Sequence, residues 1–210
     1  MKIDFFGDSI TDAFRNREAT NTNDRFGCGF VAQLAAKLFA QNPLGYEIKN
    51  AGIGGNRIVD LYARIKTDVW NFKPDVLNIL VGINDVWHEF AVGNGVDLKR
   101  WERMYREMIE DTRERLPNVK IIICEPFVGH GFITNDEYEK FLEIREYAAV
   151  AKKLAEEYGL YFLPLQEKIS SAEEKYGEGV VLVDGVHPTL FGASIIAEEW
   201  WKLFNGKILL

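Results

Sequence analysis

Cysteine, histidine and serine are all scarce in this chain. Its 210 residues hold two cysteines and three histidines, and the only serines are Ser9, Ser170, Ser171 and Ser194. Cys28 and Cys124 lie far apart and in no Cys-x-x-Cys or Cys/His spacing, so a disulfide framework and a zinc site are both unexpected. Both read as free thiols of a reducing compartment. There is no basic run and the net charge is −7, which removes the basic face a nucleic-acid partner needs. No apolar stretch approaches the ~20 residues of a spanning helix. Asp4 and Asp8 fall where a signal peptide needs an apolar core, so a cytoplasmic protein is expected. Asp4 and Asp8 are also a poor spacing for a metal pair, and no metal or cofactor is expected.

What is present is an alternation of short apolar runs and amphipathic stretches over one domain, residues 1–210. Ile3–Phe6, Tyr46–Asn50, Asp75–Val81, Val119–Cys124 and Leu160–Leu163 read as strands. Helices are expected from Phe30 to Pro43, around Ile58–Val69, over Leu98–Leu116, over Asp136–Tyr158, around Gln166–Tyr176 and over Thr189–Phe204. Thr11–Gly27 is polar and reads as a long loop, of the kind that tends to line sites. Strands alternating with helices imply an α/β fold with a parallel sheet covered on both faces. In such sheets ligands bind beyond the carboxyl ends of the strands. Ser9, Gly55, Asn84 and Phe127 each follow a different strand, so all four fall on that edge.

The scarcity of serine and histidine narrows the chemistry. Ser9 is the one serine at a strand end after a glycine, where the backbone can turn sharply and present the hydroxyl. A serine needs a base to become nucleophilic. His187 fits, because Asp184 stands three residues before it in a turn and can hold its second ring nitrogen. His88 and His130 read as surface or pocket-wall residues. Acyl transfer further needs donors for a developing oxyanion. The N–H of Ser9, an N–H in the Gly52–Asn56 turn at Gly55 or Gly54, and the side-chain amide of Asn84 can converge there. The Gly-x-Ser-x-Gly elbow is absent, which excludes the α/β-hydrolase motif, and so are the glycine patterns of dinucleotide and phosphate loops.

Four segments, Gly7-Asp8-Ser9-Ile10, Gly52–Asn56, Gly82-Ile83-Asn84-Asp85 and Asp184-Gly185-Val186-His187-Pro188, resemble in order the motif blocks of the SGNH (GDSL-type) hydrolases. The resemblance implies a three-layer α/β/α, flavodoxin-like fold with a mainly parallel five-stranded sheet, and ester hydrolysis through an acyl-serine. Ser9 would be nucleophile, His187 base and Asp184 its orienter, with Ser9, Gly55 and Asn84 as oxyanion hole. Thr11-Asp12, Asn50–Asn56 and Val86-Trp87 are similar to the intracellular acetylxylan esterase-type members. This implies a small-molecule ester as partner, foremost an O-acetylated xylo-oligosaccharide or related sugar. Asp8, Trp87 and Phe127 are the candidates for the substrate pocket, with Phe132 as a further aromatic face. The alternative within the family is a lysophospholipase or thioesterase acting on longer acyl chains. A non-catalytic binding module is the reading from another class. No membrane association is expected, and a homo-oligomer is open; Trp101 and the Trp200-Trp201 pair are its candidate interface residues, although core packing of their helices is the favoured role.

Overall fold

The computed structural model describes residues 1–209. Five strands form the sheet: β1 (Lys2–Gly7), β2 (Glu47–Gly52), β3 (Val76–Leu80), β4 (Lys120–Cys124) and β5 (Tyr161–Leu163). They pair in the order β2-β1-β3-β4-β5, each pairing parallel. The helices are α1 (Ser9–Asp12), α2 (Phe30–Gln41), α3 (Ile58–Ile65), α4 (Ile83–Val92), α5 (Leu98–Arg115), α6 (Tyr138–Phe141), α7 (Ile144–Tyr158), α8 (Gln166–Tyr176) and α9 (Leu190–Leu203). The strand order is flavodoxin-like, and the direction of winding reverses between β1 and β3.

The alternation of side chains along β1 shows why helices must cover both faces. Phe5 points to one face, where its ring centroid lies 5.7 Å from that of Phe30 on α2 and 5.3 Å from that of Trp200 on α9. Phe6 points to the other, under the guanidinium of Arg64 on α3 at 4.4 Å. Helices α2 and α9 pack together on the first face, and α3, α5 and α7 on the second. Helix α5 buries Trp101, Tyr105, Met108, Ile109 and Thr112, a stripe at helical spacing. Trp101 and Trp200 are fully buried, so these two tryptophans are core residues and not an exposed interface. The cysteines are unpaired; Cys28 is exposed and Cys124 buried.

Three elements depart from the sequence-based expectations. Residues 9–12 form a helical turn at the start of the expected loop, and Asn23–Phe26 forms a 3-10 turn inside it. The segment from Ile83, expected as a turn, continues as the ten-residue helix α4. The helix expected over Asp136–Tyr158 is interrupted at Leu142–Glu143, between α6 and α7. Tertiary packing accounts for the interruption. Phe141 is fully buried, with ring centroids 5.8 Å from Trp87 and 4.9 Å from Phe90, which ties α6 to α4 in place of α7.

Candidate active site

The chain leaves β1 at Gly7 and enters α1 at once, with Asp8 as its cap: Ile10 N–H donates to Asp8 Oδ1 at 3.0 Å. This places Ser9 in the first helical position, its hydroxyl directed beyond the carboxyl edge of the sheet. His187 arrives from the far end of the chain, and Ser9 Oγ lies 2.9 Å from its Nε2. The other ring nitrogen, Nδ1, lies 2.7 Å from Asp184 Oδ2. The second carboxylate oxygen of Asp184 accepts from the N–H groups of Val186 and His187 at 2.9 and 2.8 Å. Serine, imidazole and carboxylate thus form one hydrogen-bonded line.

The electrostatics follow from these bonds. Burial pushes the Asp184 carboxyl up, but the His187 hydrogen bond and the two backbone donors outweigh it, and its pKa lies below the ordinary value. The Asp184 hydrogen bond raises the pKa of His187 against the opposing effect of burial, and the nearby Asp8 adds to the rise. An imidazole so held keeps Nδ1–H toward Asp184 and turns the lone pair of Nε2 toward the serine. That arrangement lets it take and return a proton.

The candidate donors for an oxyanion come from three strand ends. Asn84, in the first turn of α4, donates one amide hydrogen to Asn56 O at 3.1 Å and keeps a second. Its neighbour Asp85 accepts from Ile58 N–H at 2.9 Å. The start of α4 therefore clamps the turn that follows β2. Within this turn the Gly54 N–H is engaged by Asp12 Oδ2 at 3.1 Å. Gly55 has φ +79° and its N–H makes no hydrogen bond among the described residues. The left-handed conformation favours glycine, and of the two glycines only Gly55 has its donor free. Ser9 N–H is likewise unengaged among the described residues.

Two cavities adjoin Ser9. One, of about 60 Å³, is lined by Ser9, Ile10, Ala13, Cys28, Phe30 and Ala193 among others. The second, of about 460 Å³, opens between Phe14, Asp12, Gly54, Val183, Pro188 and the catalytic-type pair Ser9 and His187. No group of three or more His, Cys, Asp or Glu side chains able to hold a metal occurs among the described residues. No described helix is long and apolar enough to cross a membrane.

Residues 5–195 match the GDSL-like Lipase/Acylhydrolase family. The chain belongs to this family. It is 35% identical over 208 residues to the acetylxylan esterase of Geobacillus stearothermophilus, covering 96% of this chain and 92% of that one. Among solved structures, a Parabacteroides merdae protein described as a GDSL-like lipase superposes with a TM-score of 0.90 at 36% identity, over 98% of this chain and 96% of that one. The acetylxylan esterase Axe2 of Geobacillus stearothermophilus superposes with a TM-score of 0.84 at 31% identity, over 96% of this chain and 92% of that one. The chain is a carboxylic ester hydrolase of the GDSL family, with the five-stranded parallel sheet of its solved relatives.

The sequence-based site residues divide in two within this GDSL framework. Ser9, Asp184 and His187 form one hydrogen-bonded line, and Asn84 is bonded to the turn of Gly54 and Gly55, in which Gly54 borders the larger cavity with Ser9. The three residues expected to form the substrate pocket do not border it. Phe127, in the loop after β4, is fully buried in the core. Trp87 is half-buried against Phe141 and borders neither cavity. Asp8 lies beneath the serine as a helix cap, with its carboxyl pushed up to about 7 by burial, an effect that its Ile10 hydrogen bond and the charge of His187 only partly offset. Phe132 is exposed but also lies outside both cavities.

The loop carrying Phe127 instead holds the acidic turn. Gly129 N–H donates to Gly185 O at 2.9 Å and Ile133 N–H to Asp184 O at 3.1 Å. The fully buried Thr134 donates from Oγ1 to Gly129 O at 2.8 Å. A methyl at Gly131 would overlap the Asp184–Gly185 backbone. Sequence reasoning also missed Phe14, Asp12 and Val183 as cavity residues. The signal for the first two was the polar stretch after Ser9, which a helical turn folds back onto the site.

Proposed function

We propose that the protein hydrolyses short-chain, foremost acetyl, O-esters of xylo-oligosaccharides or related sugars through an acyl-serine, with Ser9, His187 and Asp184 as the catalytic residues. The observation that carries this reading is the Ser9–His187–Asp184 hydrogen-bonded line standing between a small cavity and a large one. A cavity of about 60 Å³ accommodates only about two or three heavy atoms at the ~20–30 Å³ each occupies in a condensed phase. It suits an acetyl group, and a longer acyl chain would have to extend into the adjoining larger cavity. The larger one has the size of a pocket for a whole small molecule. The acetylxylan esterase activity named for the Geobacillus relative supports the same substrate class.

In the first step His187 Nε2 takes the proton of Ser9 as Oγ attacks the ester carbonyl carbon. The resulting oxyanion faces the N–H groups of Ser9 and Gly55 and the amide of Asn84, donors set in place before the charge develops. Asp184 stabilises the imidazolium and holds its tautomer. Collapse breaks the bond to the sugar oxygen, which leaves with the proton from His187. A water then attacks the acyl-serine with His187 again as base, releasing acetate and restoring the Ser9 hydroxyl.

Turnover of p-nitrophenyl esters from acetate to octanoate, with Ser9→Ala as control, tests the chemistry. Acetate release from acetylated xylo-oligosaccharides tests the substrate. A steep preference for acetate together with sugar deacetylation is expected. A preference for octanoate would instead favour the longer-chain alternative.

A further inference from the structure

One residue at the site is placed against every local preference. Phe14 is 95% exposed. Its backbone is left-handed, with φ +59°, and it follows Ala13 at φ +42°. A bulky side chain in this region is an outlier, because Cβ crowds the adjacent carbonyl. An exposed phenyl ring gains nothing from burial that would offset this. Two consecutive left-handed residues persist only where the surroundings determine them, and here they do. Ala13 N–H donates to Ser9 O and Arg15 N–H to Asp12 O, both at 2.9 Å, while Ala13 O accepts from Cys28 N–H at 2.9 Å. Arg15 Nε donates to Gly52 O at 2.9 Å, tying the turn to the end of β2. The chain thus fixes an aromatic ring in solvent, on a rigid turn that starts at the nucleophile.

The position of that ring identifies what it meets. Phe14 borders both cavities at Ser9. In the larger one it is joined by two other apolar side chains, Val183, itself half-exposed, and Pro188. The remaining lining is polar: Ser9, Asp12, Asp184 and His187 around Gly54. A pyranose ring has this divided character. Its axial C–H groups form an apolar face and its hydroxyls a polar rim, so it lies flat on an aromatic face and presents hydroxyls sideways. Resting on the sugar-ester reading above, we propose that Phe14 is a stacking platform for the sugar ring. It makes the 460 Å³ cavity the subsite of the leaving alcohol, and the substrate class pyranoside esters with at least one ring seated on Phe14.

The test compares wild type with Phe14→Gly and Phe14→Trp. Glycine relieves the left-handed backbone, so Phe14→Gly is expected to melt no lower than wild type, and a loss of activity cannot be assigned to misfolding. The readouts are kcat/KM on acetylated xylotriose relative to ethyl acetate, and the competitive inhibition constant of free xylotriose. In Phe14→Gly the ratio is expected to fall about tenfold, through KM, with a matching rise in the inhibition constant, the scale of losing one aromatic face. Phe14→Trp is expected to keep both. An unchanged ratio and inhibition constant in Phe14→Gly would overturn the platform while leaving the sugar-esterase reading intact. A selective loss on hexanoate esters would also overturn it, by moving Phe14 to the acyl side. Failure of the underlying reading would show in wild type itself, as ethyl acetate turnover with no acetate released from acetylated xylotriose, and would take this inference with it.

Discussion

Asp184 and the carboxyls of the sheet floor, Asp4, Asp8 and Asp85, are all buried, yet they are held in opposite ways. The acidic turn gives Asp184 two backbone N–H donors and an imidazole, and its pKa is lowered despite burial. On the floor, Asp8 and Asp85 each keep one oxygen without a partner among the described residues, and Asp4 keeps both so. Burial raises Asp8 to about 7 and Asp4 to about 8, and raises Asp85 well above the ordinary carboxyl range, with the neighbouring Asp8 adding to the rise. Depth and donors together decide the charge of a carboxyl: burial dominates on the floor, and at the shallower Asp184 three donors outweigh it. The turn keeps a charge where an imidazolium must be stabilised, whereas burial on the floor raises the carboxyls toward or above neutrality.

Removing the carboxylate of the turn breaks this contrast most severely. Asp184→Ala is expected to lower kcat about 10³–10⁴-fold, since His187 loses both its tautomer and its counter-charge. It should also move the acid limb of the pH–rate profile down. His187 must be neutral to act, its pKa is raised by Asp184, and activity is therefore lost on acidification at a higher pH in wild type than in the variant. Stopped-flow or steady-state profiles of kcat/KM would show it, and an unmoved limb would remove Asp184 from the pair.

Asn84 sits beside Asp85 and is the proposed side-chain donor to the oxyanion. Asn84→Ala is expected to lower kcat about 10²–10³-fold with KM little changed; a loss confined to KM would show that it binds substrate instead.

The floor is probed by Asp4→Asn. In the unfolded chain Asp4 ionises near its ordinary value, whereas in the folded protein it does so only near 8. Between these values the folded state holds the extra proton, so wild type loses stability as pH rises, by up to about 1.4 kcal/mol per unit. The charges facing it are Lys49, Arg64 and Arg15, which lower its pKa, and Asp68, which raises it. From pH 5 to pH 8 the variant should gain roughly 2–4 kcal/mol relative to wild type. Guanidinium unfolding at the two pH values measures this, and parallel curves would mean that Asp4 ionises in the fold.

The smallest effect concerns the loop that holds the acidic turn. Thr134→Val removes the bond to Gly129 O and is expected to destabilise the protein by about 1–2 kcal/mol. Thermal melting would detect it; a stability equal to wild type would show that the backbone bonds alone hold the turn.

Much of this was legible because it is local. Apolar runs of five or six residues between amphipathic stretches specify strands and helices, and their alternation specifies a parallel sheet with covered faces. Ser9, Gly55 and Asn84 fall at strand ends by counting along the chain, and Asp184 and His187 share one turn. Trp87 and Phe127 were misjudged for the opposite reason. An aromatic side chain in a segment beyond a strand end reads the same whether it faces a cavity or the core, and only the packing of Trp87 against Phe141 and the full burial of Phe127 tell the two apart. Phe14 was invisible because its exposure depends on two left-handed residues that no side-chain preference favours.

The sequence alone determined the residue types of the reaction, their order and the edge of the sheet on which they lie, because these follow from periodicity and from the shortness of the segments involved. Tertiary structure decided which glycine keeps its N–H free, which carboxyls hold a charge, and which aromatic ring meets the substrate. Each of these depends on what approaches from a distant part of the chain: Asp12 on Gly54, the Gly129–Thr134 loop on Asp184, and the Cys28 segment on Ala13. Such approaches are set by how whole layers pack, and no window of neighbouring residues contains them.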